Sequence, residues 1–498
     1  MTFESCRMCP FAFQIASIGH IYPDNTGCLP YVGPPQDIAL ELINRQYDGV
    51  FNFTLSYNFD RNLRSCAEVA DHAVDLLSRW YYRARSNRIV PALVFPCKIN
   101  THYVLRDKSQ SPTFVSVGHY ASTAYLEFYS AIMPLFQWRS VFVLAVESTR
   151  VALLYGIVAR TAVQAMSTLP NQLVTTRYIE DPVATTFQQI LPDFRRISRV
   201  MLYFGRAEGL RLLLIEAYHL NMTNGDYVYI ALENFASPSL YGRIGWDYGD
   251  ESDQVARRAF HSLLVVRPVD FNDSLPSSIR GFTPAELSRR AFADYNFALP
   301  LANQPLVNLI SPFLSINLLG QILNTSHSVY GPSSLYDGAH LAKMVFNQTF
   351  ETVFGPIEMD DVGQRIVDLT LSWFDEHNDN FQPFLLMKMK SKTVTSSAEV
   401  RWVDGKPWPP PNEPLCGYSD QSSRCGNTRS GLYSFEIAVP VVSATLGSLC
   451  CAIYFIRRYF CFERNPAQMW WIVERTEIML TEKILAFRLS QVSRGGGA

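Results

Sequence analysis

The acidic run "WDYGDESD", residues 246–253, is the densest group of side chains in the sequence that could bind a cation. Carboxylates are ligands for Ca²⁺, but negative charge is also favoured in a solvated loop that leads into a helix N-terminus. We favour the loop and helix start. Cys6 and Cys9 have the spacing of a redox pair or half a zinc site. No second CxxC and no His-x-His sequence lies nearby, so no metal site is predicted.

Motifs for covalent or phosphate chemistry are missing from the sequence. It contains no GxxxxGK[ST], GxGxxG or HExxH pattern and no kinase HRD or DFG set. The nine histidines are scattered without a partner at ligand spacing. Net charge is -2, so no basic field favours nucleic acid. The sequence therefore predicts binding chemistry, with no catalytic residues, no metal and no cofactor in this chain.

A long apolar run, residues 437–456, indicates a transmembrane helix. Its 20 residues carry no charge, and at 1.5 Å rise per residue they span a hydrocarbon core of about 30 Å. Glu436 precedes the run and Arg457 follows it. The alternative is a buried core helix. Within the run, Ser443 and Gly447 form a small-xxx-small pair that permits two such helices to pack closely as a dimer.

The charges after this run predict its orientation. Residues 457–498 contain seven Lys or Arg and four Asp or Glu, and basic flanks stay cytoplasmic. The predicted topology is single-pass type I in the plasma membrane, with the N-terminus extracellular. Glycosylation sequons agree with this orientation, since all of them precede the span. They are Asn52, Asn221, Asn272, Asn324 and Asn347.

Cysteine positions follow the same division. Four of the cysteines on the predicted outside, where disulfides persist, are Cys66, Cys97, Cys416 and Cys425. The alternative for Cys66 is a buried apolar thiol.

Before residue 400 the chain alternates strand and helix, which predicts an α/β fold with mostly parallel sheets. Predicted strands cover residues 11–18, 50–57, 89–96, 140–147, 173–179, 198–205, 226–232 and 262–268. Their number indicates two doubly wound lobes flanked by helices. Ligands of such folds bind beyond the carboxyl ends of the strands, in or near an interlobe cleft. The pattern names no ligand contact.

Two helices are predicted from apolar residues at helical spacing. The first lies in "SCAEVADHAVDLLSRW", with Val69, Ala70, Ala73, Val74 and Leu77 on its apolar face. The second lies in "RAEGLRLLLIEAYHL", with Leu210, Leu213, Leu214 and Ala217.

The predicted domains are a two-lobed ectodomain at 10–400, a Pro-rich linker at 401–436, the span at 437–456 and a short cytoplasmic tail at 457–498. Residues 380–415 lose the α/β pattern and read as short β segments before an extended linker.

Several ordered segments resemble the receptor-type guanylate cyclases and natriuretic peptide receptors. They are "RVMLYFGRAEGLRLLLIEAYHL", "HLNMTNGDYVYIALENF" (219–235), "LYDGAHLAK" (335–343), "NQTFETVFGPIEMDDVGQRIVDLTL" (347–371) and the stretch from Trp402 to Tyr418. The resemblance covers about residues 10 to 430. It implies a type I periplasmic-binding-protein-like ectodomain, a homodimer, and an extracellular ligand that is a peptide or a small molecule.

The resemblance also implies two disulfides, Cys66 with Cys97 and Cys416 with Cys425. The second would close a small loop just before the span. With the prolines at 407, 409, 410, 411 and 414 it would form a stiff connector between the lobes and the membrane.

The sequence departs from the family pattern after the third strand. "VFPCKINTHYVLRDKSQSPTF" passes almost directly to Pro112, as if one helix–strand unit were missing, and the family's chloride site is not carried over. No signal peptide is recognised. Three interpretations follow. The chain is a fragment or isoform of a receptor guanylate cyclase that signals through cyclic GMP, a short-tailed clearance or decoy receptor, or an ectodomain for dimerisation or adhesion.

Overall fold

The computed structural model describes most of the chain before residue 415 and one later segment. The described residues are 10–22, 28–84, 89–95, 106–118, 122–147, 152–233, 241–269, 282–296, 307–414, 417–418 and 445–458. The chain divides into two compact units, Met1–Ser422 and Ser423–Ala498. All three described β-sheets belong to the first unit, and residues 445–458 of the second unit are helical.

The first sheet has three parallel strands in the order β2-β1-β3. They are β1 (Phe11–Ile18), β2 (Phe51–Asn58) and β3 (Ile89–Val94). The helices nearest in sequence are α1 (Leu29–Gln46), α2 (Cys66–Asp71) and α3 (Ala73–Ala84). One apolar core joins this sheet to α1 and to helices from much later in the chain. Those helices are α9 (Pro284–Tyr295), α10 (Val307–Tyr330) and α11 (Gly338–Lys343).

Close contact between α1 and α10 depends on a glycine. A Cβ added at Gly320 would lie 2.9 Å from Ile43 Cγ2 and 3.1 Å from the Tyr47 ring. Real side-chain carbons do not pack that closely, so only glycine lets the two helices approach to this distance. The first lobe is therefore held together by two helices separated by more than 250 residues in sequence.

The second sheet has eight strands in the order β13-β12-β11-β8-β7-β6-β4-β5. The five from β4 to β8 run parallel, and the other three are antiparallel to their neighbours. The parallel strands are β4 (Ser140–Val146), β5 (Leu173–Ile179), β6 (Val200–Phe204), β7 (Val228–Leu232) and β8 (Leu263–Pro268). The antiparallel strands are β11 (Leu369–Asp375), β12 (Asn380–Lys388) and β13 (Thr393–Ser396). A short hairpin, β9 (Thr349–Phe350) with β10 (Ile357–Glu358), precedes them.

Helices cover both faces of the parallel strands. They are α4 (Ser122–Leu135), α5 (Ala152–Ser167), α6 (Ala184–Ile197), α7 (Ala207–His219) and α8 (Asp253–Phe260). All seven residues of β4 are buried. Val141, Val143 and Ala145 enter one core, while Phe142 and Leu144 enter the other. Because successive side chains of a strand point to opposite faces, an almost wholly apolar strand supplies two cores at once.

The predicted α/β class with mostly parallel sheets is confirmed. The eight predicted strands match β1 to β8 to within about two residues at each end. The apolar face predicted for α7 is also correct, since Leu210, Leu213, Leu214 and Ala217 are all buried.

Two details differ from the predictions. The helix predicted around residues 66–80 is interrupted at His72 and continues as α3, so the helical phase restarts and Val74 is 75% exposed, whereas Leu76 and Trp80 are buried. Strands β9, β10 and β11 were not predicted.

The predicted transmembrane span lies only partly within the described residues. Residues 445–456 are helical and exposed, while 437–444 lie outside the described part. Among the residues the structure describes, no helix has the length and apolar character needed to cross a membrane.

Candidate functional site

Polar side chains meet where the parallel strands of the second sheet end. Arg206 follows β6, Glu233 follows β7, and Arg267 is near the end of β8. Because these strands are parallel neighbours, their carboxyl ends lie along one edge of the sheet. In open α/β sheets this edge is where ligands bind. We call the group the carboxyl edge. Its members are Tyr155, Tyr203, Arg206, Glu208, Glu233, Tyr241 and Arg267.

Arg267 and Glu233 form an ion pair between the ends of neighbouring strands. The backbone N–H of Glu233 also donates to Val266 O at 3.0 Å, which fixes the base of the side chain. Their side chains keep 31% and 19% of their surface exposed, so the pair is half-buried and accessible from the edge. A pair of this kind orients both charges without removing them from solvent.

A second ion pair lies at the start of α7. Arg206 donates to both carboxylate oxygens of Glu208, from Nε at 3.1 Å and from Nη2 at 3.0 Å. Burial of Glu208 acts to raise the pKa of its carboxyl, but the hydrogen bonds from Arg206, a backbone hydrogen bond and the charge of Arg206 together lower that pKa below its usual value. The fork geometry is the strong, bidentate form of this interaction.

Three tyrosines belong to the same edge as these ion pairs. The Tyr155 and Tyr241 rings meet edge to face with centroids 6.0 Å apart, and Tyr203 Oη donates to Arg206 O at 3.3 Å. Burial raises the pKa of Tyr155, Tyr203 and Tyr241 above the usual phenol value. These phenols are therefore neutral at physiological pH and supply hydrogen-bonding hydroxyls in an apolar setting.

The described members of the carboxyl edge supply hydrogen-bonding groups and aromatic rings, and among them no nucleophile is paired with a base. Both arginines are neutralised by neighbouring carboxylates, and none of its members is a serine, cysteine or histidine nucleophile. Within the described residues, no cluster of three or more His, Cys, Asp or Glu side chains could hold a metal ion. The arrangement suits recognition by hydrogen bonds and aromatic contact rather than by net charge.

The chain passes between the two lobes beside this edge. It leaves the second sheet after β8 and returns at the start of β11. At that point Val269 N donates to Asp368 O at 2.8 Å, and Asp368 Oδ1 accepts from Met389 N at 2.8 Å. A ligand at the carboxyl edge would therefore lie next to the segments that connect the lobes.

The first sheet carries its own polar group near the end of β2. Tyr57 Oη donates to Asp37 Oδ1 on α1 at 2.7 Å, and the Tyr57 and Tyr295 rings lie 6.0 Å apart. Burial raises the pKa of Asp37 to about 6, and the hydrogen bond from Tyr57 counteracts only part of this increase. Burial therefore makes Asp37 hold its proton more tightly than an exposed aspartate does.

The opposite edge of the second sheet is closed by aromatic side chains from residues 402–414, which we call the collar. The Trp408 ring lies 4.7 Å from Trp402, 5.3 Å from Phe136, 5.6 Å from Phe384 and 6.0 Å from Trp138. These contacts join α4, β12 and the collar in one apolar cluster. The Pro-rich stretch predicted as a linker is therefore packed on the sheet as far as residue 414.

Hydrogen bonds fix the collar to the amino ends of the strands. Asn412 Oδ1 accepts from the backbone N–H groups of Arg139 at 2.6 Å and Ser140 at 2.8 Å, where β4 begins. Trp138 Nε1 donates to Pro410 O at 3.0 Å. The collar thus satisfies backbone donors that would otherwise be unpaired at the start of a buried strand.

The N-terminal part of the collar contacts the turn before β7. Trp402 Nε1 donates to Gly225 O at 2.7 Å, and Lys406 Nζ lies 2.9 Å from Asp226 Oδ1. Gly225 has φ +85°, and a Cβ there would lie 2.9 Å from Lys406 Cδ and 3.1 Å from Val403 Cβ. Glycine is required both for the backbone conformation and for the contact. This accounts structurally for the "TNGDY" part of the motif at 219–235.

A comparison with known protein families identifies the family to which the chain belongs. Residues 89–372, more than half of the chain, match the family described as "Receptor family ligand binding region". The chain belongs to this receptor family. The matched segment begins at β3 and ends within β11, so it includes every member of the carboxyl edge.

Individual relatives are of the receptor guanylate cyclase and natriuretic peptide receptor type. A receptor-type guanylate cyclase of Caenorhabditis elegans is 24% identical over 301 residues, 59% of this chain and 22% of that protein. Atrial natriuretic peptide receptor 2 of Rattus norvegicus is 26% identical over 302 residues, 58% of this chain and 28% of that protein. Atrial natriuretic peptide receptor 3 of Bos taurus is 23% identical over 279 residues, 55% and 49% respectively. The chain spans at most about half the length of these relatives.

One predicted disulfide cysteine can be placed in the receptor domain. Cys66 is disulfide-bonded and buried beside Ile18, Val69 and Leu76, with Phe95 packed against the same cluster. The other three cysteines, Cys97, Cys416 and Cys425, lie outside the described residues. The two pairings stay predictions.

The sequons occupy different environments. Asn52, Asn221 and Asn347 are exposed, Asn324 is half-buried on α10, and Asn272 lies outside the described residues. Of the predicted dimer pair in the span, Gly447 is exposed on the helix at 445–458, and Ser443 lies outside the described part.

The acidic run at 246–253 has a partner that the sequence did not reveal. Arg211 of α7, only 6% exposed, donates to Asp250 at 2.6 and 2.8 Å and to Asp253 at 2.7 Å. Helix α8 begins at Asp253, so the predicted helix start is correct. The loop is held by a buried arginine rather than solvated freely, and Arg211 lies more than 35 residues away in sequence.

Sequence reasoning named no member of the carboxyl edge. A usable signal was present, because Arg206 and Glu208 directly follow the buried strand "VMLYF", and Glu233 directly follows "VYIAL". Charged residues immediately after apolar parallel strands mark the ligand-binding edge of an α/β sheet. The pairing of Glu233 with Arg267 could not be predicted without the order of the strands.

Proposed function

We propose that the chain is the extracellular ligand-binding part of a single-pass plasma-membrane receptor, with its N-terminus outside. The observation that carries this proposal is the match of residues 89–372 to the receptor ligand-binding family. The two-sheet fold supports it, since such domains bind ligands at the carboxyl ends of their strands. The absence of nucleophile–base chemistry among the members of that edge is consistent with a binding role.

The ligand site in this proposal is the carboxyl edge. Its two ion pairs leave little net charge, and its tyrosine hydroxyls are neutral. We therefore expect a ligand recognised by hydrogen bonds and aromatic contact, such as a peptide or a polar small molecule. Because the lobe-connecting segments lie beside this edge, binding there would change how the lobes are held.

The signal in this proposal is carried through the collar to a membrane span at 437–456 and a cytoplasmic tail at 457–498. A homodimer, with Ser443 and Gly447 in contact across the span, would couple two ectodomains. The relatives named as guanylate cyclases suggest that signalling proceeds through cyclic GMP. No cofactor and no nucleic acid has a part in this scheme.

The alternative is a short-tailed clearance or decoy receptor. The observation that supports it is the similarity to atrial natriuretic peptide receptor 3 of Bos taurus, which is 23% identical over 279 residues. Sequencing the transcript beyond codon 498 separates the two. An in-frame kinase-like and cyclase region supports the cyclase, and a stop codon supports the short receptor.

Ligand binding is tested on the full chain expressed at the surface of cultured cells. Fluorescent atrial natriuretic peptide is the first probe, because two of the relatives carry that name. We expect saturable binding of the peptide to the wild type. Glu233→Gln and Tyr241→Phe should each weaken that binding. The exposed Tyr336→Phe, remote from the edge in sequence, serves as the matched control. Saturable binding that neither edge variant alters would contradict the assignment of the site.

A further inference from the structure

A large cavity lies under the collar, at the edge of the second sheet opposite the carboxyl edge. Its volume is about 1250 Å³. It is bounded by the end of β11, by the loop that follows β13 and by residues 400–409 of the collar region. Cavities that bind small organic molecules have volumes of about 300–1000 Å³, so this one is large enough to enclose such a molecule.

Aromatic rings form much of the wall. Phe136, Trp373, Phe384, Trp402 and Trp408 all line the cavity. Trp373 and Trp402 are 9% and 4% exposed. Rigid rings held by their neighbours provide flat apolar surfaces whose positions are fixed before a ligand arrives. Such walls favour a ligand with a flat apolar body.

Two residues of the wall, Trp373 and His261, have a buried side-chain nitrogen without a hydrogen bond among the described residues, and the indole nitrogen of Trp373 can only donate. The Nε1 of Trp373 is buried and makes no hydrogen bond within the described part of the chain. The neighbouring indoles differ, because Trp138 Nε1 donates to Pro410 O and Trp402 Nε1 donates to Gly225 O. Burying an N–H group without an acceptor costs free energy. A ligand that supplies the acceptor removes this cost.

We propose that this cavity is a second binding site, for a small organic molecule with a flat apolar body and one hydrogen-bond acceptor that pairs with Trp373 Nε1. A ligand bound there would contact β11, β12 and the collar at the same time. The site is distinct from the carboxyl edge and does not rest on the function proposed for it.

A protein partner fits these observations less well. Stable protein interfaces bury about 800 Å² on each side over a broad surface. Here the aromatic walls are recessed, and the exposed rim carries charges of both signs, Glu399 and Asp404 with Arg401 and Lys406. A recess with aromatic rings in its wall and polar groups around them is typical of a small-molecule site.

Isothermal titration calorimetry of the purified full chain with 2-naphthoate tests the proposal. The probe combines a flat apolar ring system with a carboxylate acceptor. We expect one site per chain in the wild type. Trp373→Phe keeps the ring and removes the donor, so it should weaken binding about tenfold while leaving the melting temperature unchanged or higher.

Ala398→Trp places a bulky ring in the cavity from an exposed loop position and should abolish binding. The matched control is Ala293→Trp, the same change at an exposed position on α9. It should bind 2-naphthoate as the wild type does. Absence of binding to the wild type at millimolar probe would overturn the proposal. So would equal affinity of wild type, Trp373→Phe and Ala398→Trp.

Discussion

The two edges of the second sheet are built from different chemistry. At the carboxyl edge, half-buried ion pairs and neutral tyrosines face the segments that connect the lobes. At the collar edge, five aromatic rings pack together and backbone donors of β4 are satisfied by Asn412. Polar groups held apart from a core contribute little to stability but can recognise a ligand, whereas buried rings contribute much. We infer that the carboxyl edge contributes little to stability, whereas the packed rings of the collar edge contribute much of it.

The largest effect expected from this comparison is that of Trp408→Ala at the collar edge. Removing a ring that contacts four other aromatic side chains should lower the free energy of unfolding by about 3 kcal/mol. Chemical denaturation of the full chain, monitored by near-UV circular dichroism, measures it. Tyr336→Ala, at a residue 62% exposed, is the control. A loss below about 1 kcal/mol would mean that the collar is not part of the core.

Gly225→Ala tests how the collar meets the turn before β7. We expect a loss of about 2 kcal/mol, because φ +85° disfavours any side chain and the new Cβ would press on Val403 and Lys406. Gly249 is a matched control, since it has φ +78° but a Cβ added there would meet nothing within 4 Å. Gly249→Ala therefore reports backbone strain alone. Equal losses from both substitutions would remove the collar contact from the explanation.

Asp37→Asn tests whether polar groups at the strand ends cost stability. Burial raises the folded-state pKa of Asp37 from 3.8 to about 6, so the folded state binds its proton more tightly than the unfolded state. The wild type should lose about 1–2 kcal/mol as pH rises from 4 through 6. Glu41, Arg290 and Asp294 face the same carboxyl and modulate the midpoint.

The Asn variant should lack this pH dependence. At pH 7.5 it should melt at a higher temperature than the wild type, and at pH 4 the two should coincide. Thermal melts at pH 4, 5, 6 and 7.5 provide the measurement. A variant that is less stable than the wild type at pH 7.5 would show that ionised Asp37 stabilises the first lobe.

The smallest stability effect is expected at the carboxyl edge itself. Glu208→Gln breaks the fork with Arg206, a partly exposed pair with 49% of the Glu208 side chain in solvent. We expect a change of about 0.5 kcal/mol or less in unfolding free energy. Binding of the fluorescent peptide probe should weaken more than this. If instead stability falls and binding is unchanged, the roles assigned to the two edges are reversed.

Sequence pattern predicted the strands because buried parallel strands such as "SVFVLAV" and "VMLYF" are apolar throughout. It missed β11 although "LTLSWFD" alternates apolar and polar residues as a strand does, and its pairing with β8, about 100 residues earlier, is set by the tertiary fold. The collar was predicted as a linker because prolines indicate an extended chain. Composition does not show that the Trp408 ring packs against four other aromatic rings. Arg211 was missed because its two aspartates lie about 40 residues further along the chain.

The central claim is that this receptor domain faces the cell exterior, and the exposed sequons allow a direct test. Asn221 lies one turn before Gly225, at the collar edge, and Asn52 and Asn347 lie in the first lobe. Intact cells expressing the full chain are labelled with a membrane-impermeant biotin reagent. The captured protein is then treated with peptide-N-glycosidase F in ¹⁸O water and mapped by mass spectrometry. We predict capture of the chain and ¹⁸O incorporation at Asn221. A chain that is neither captured nor glycosylated at any sequon would contradict the account.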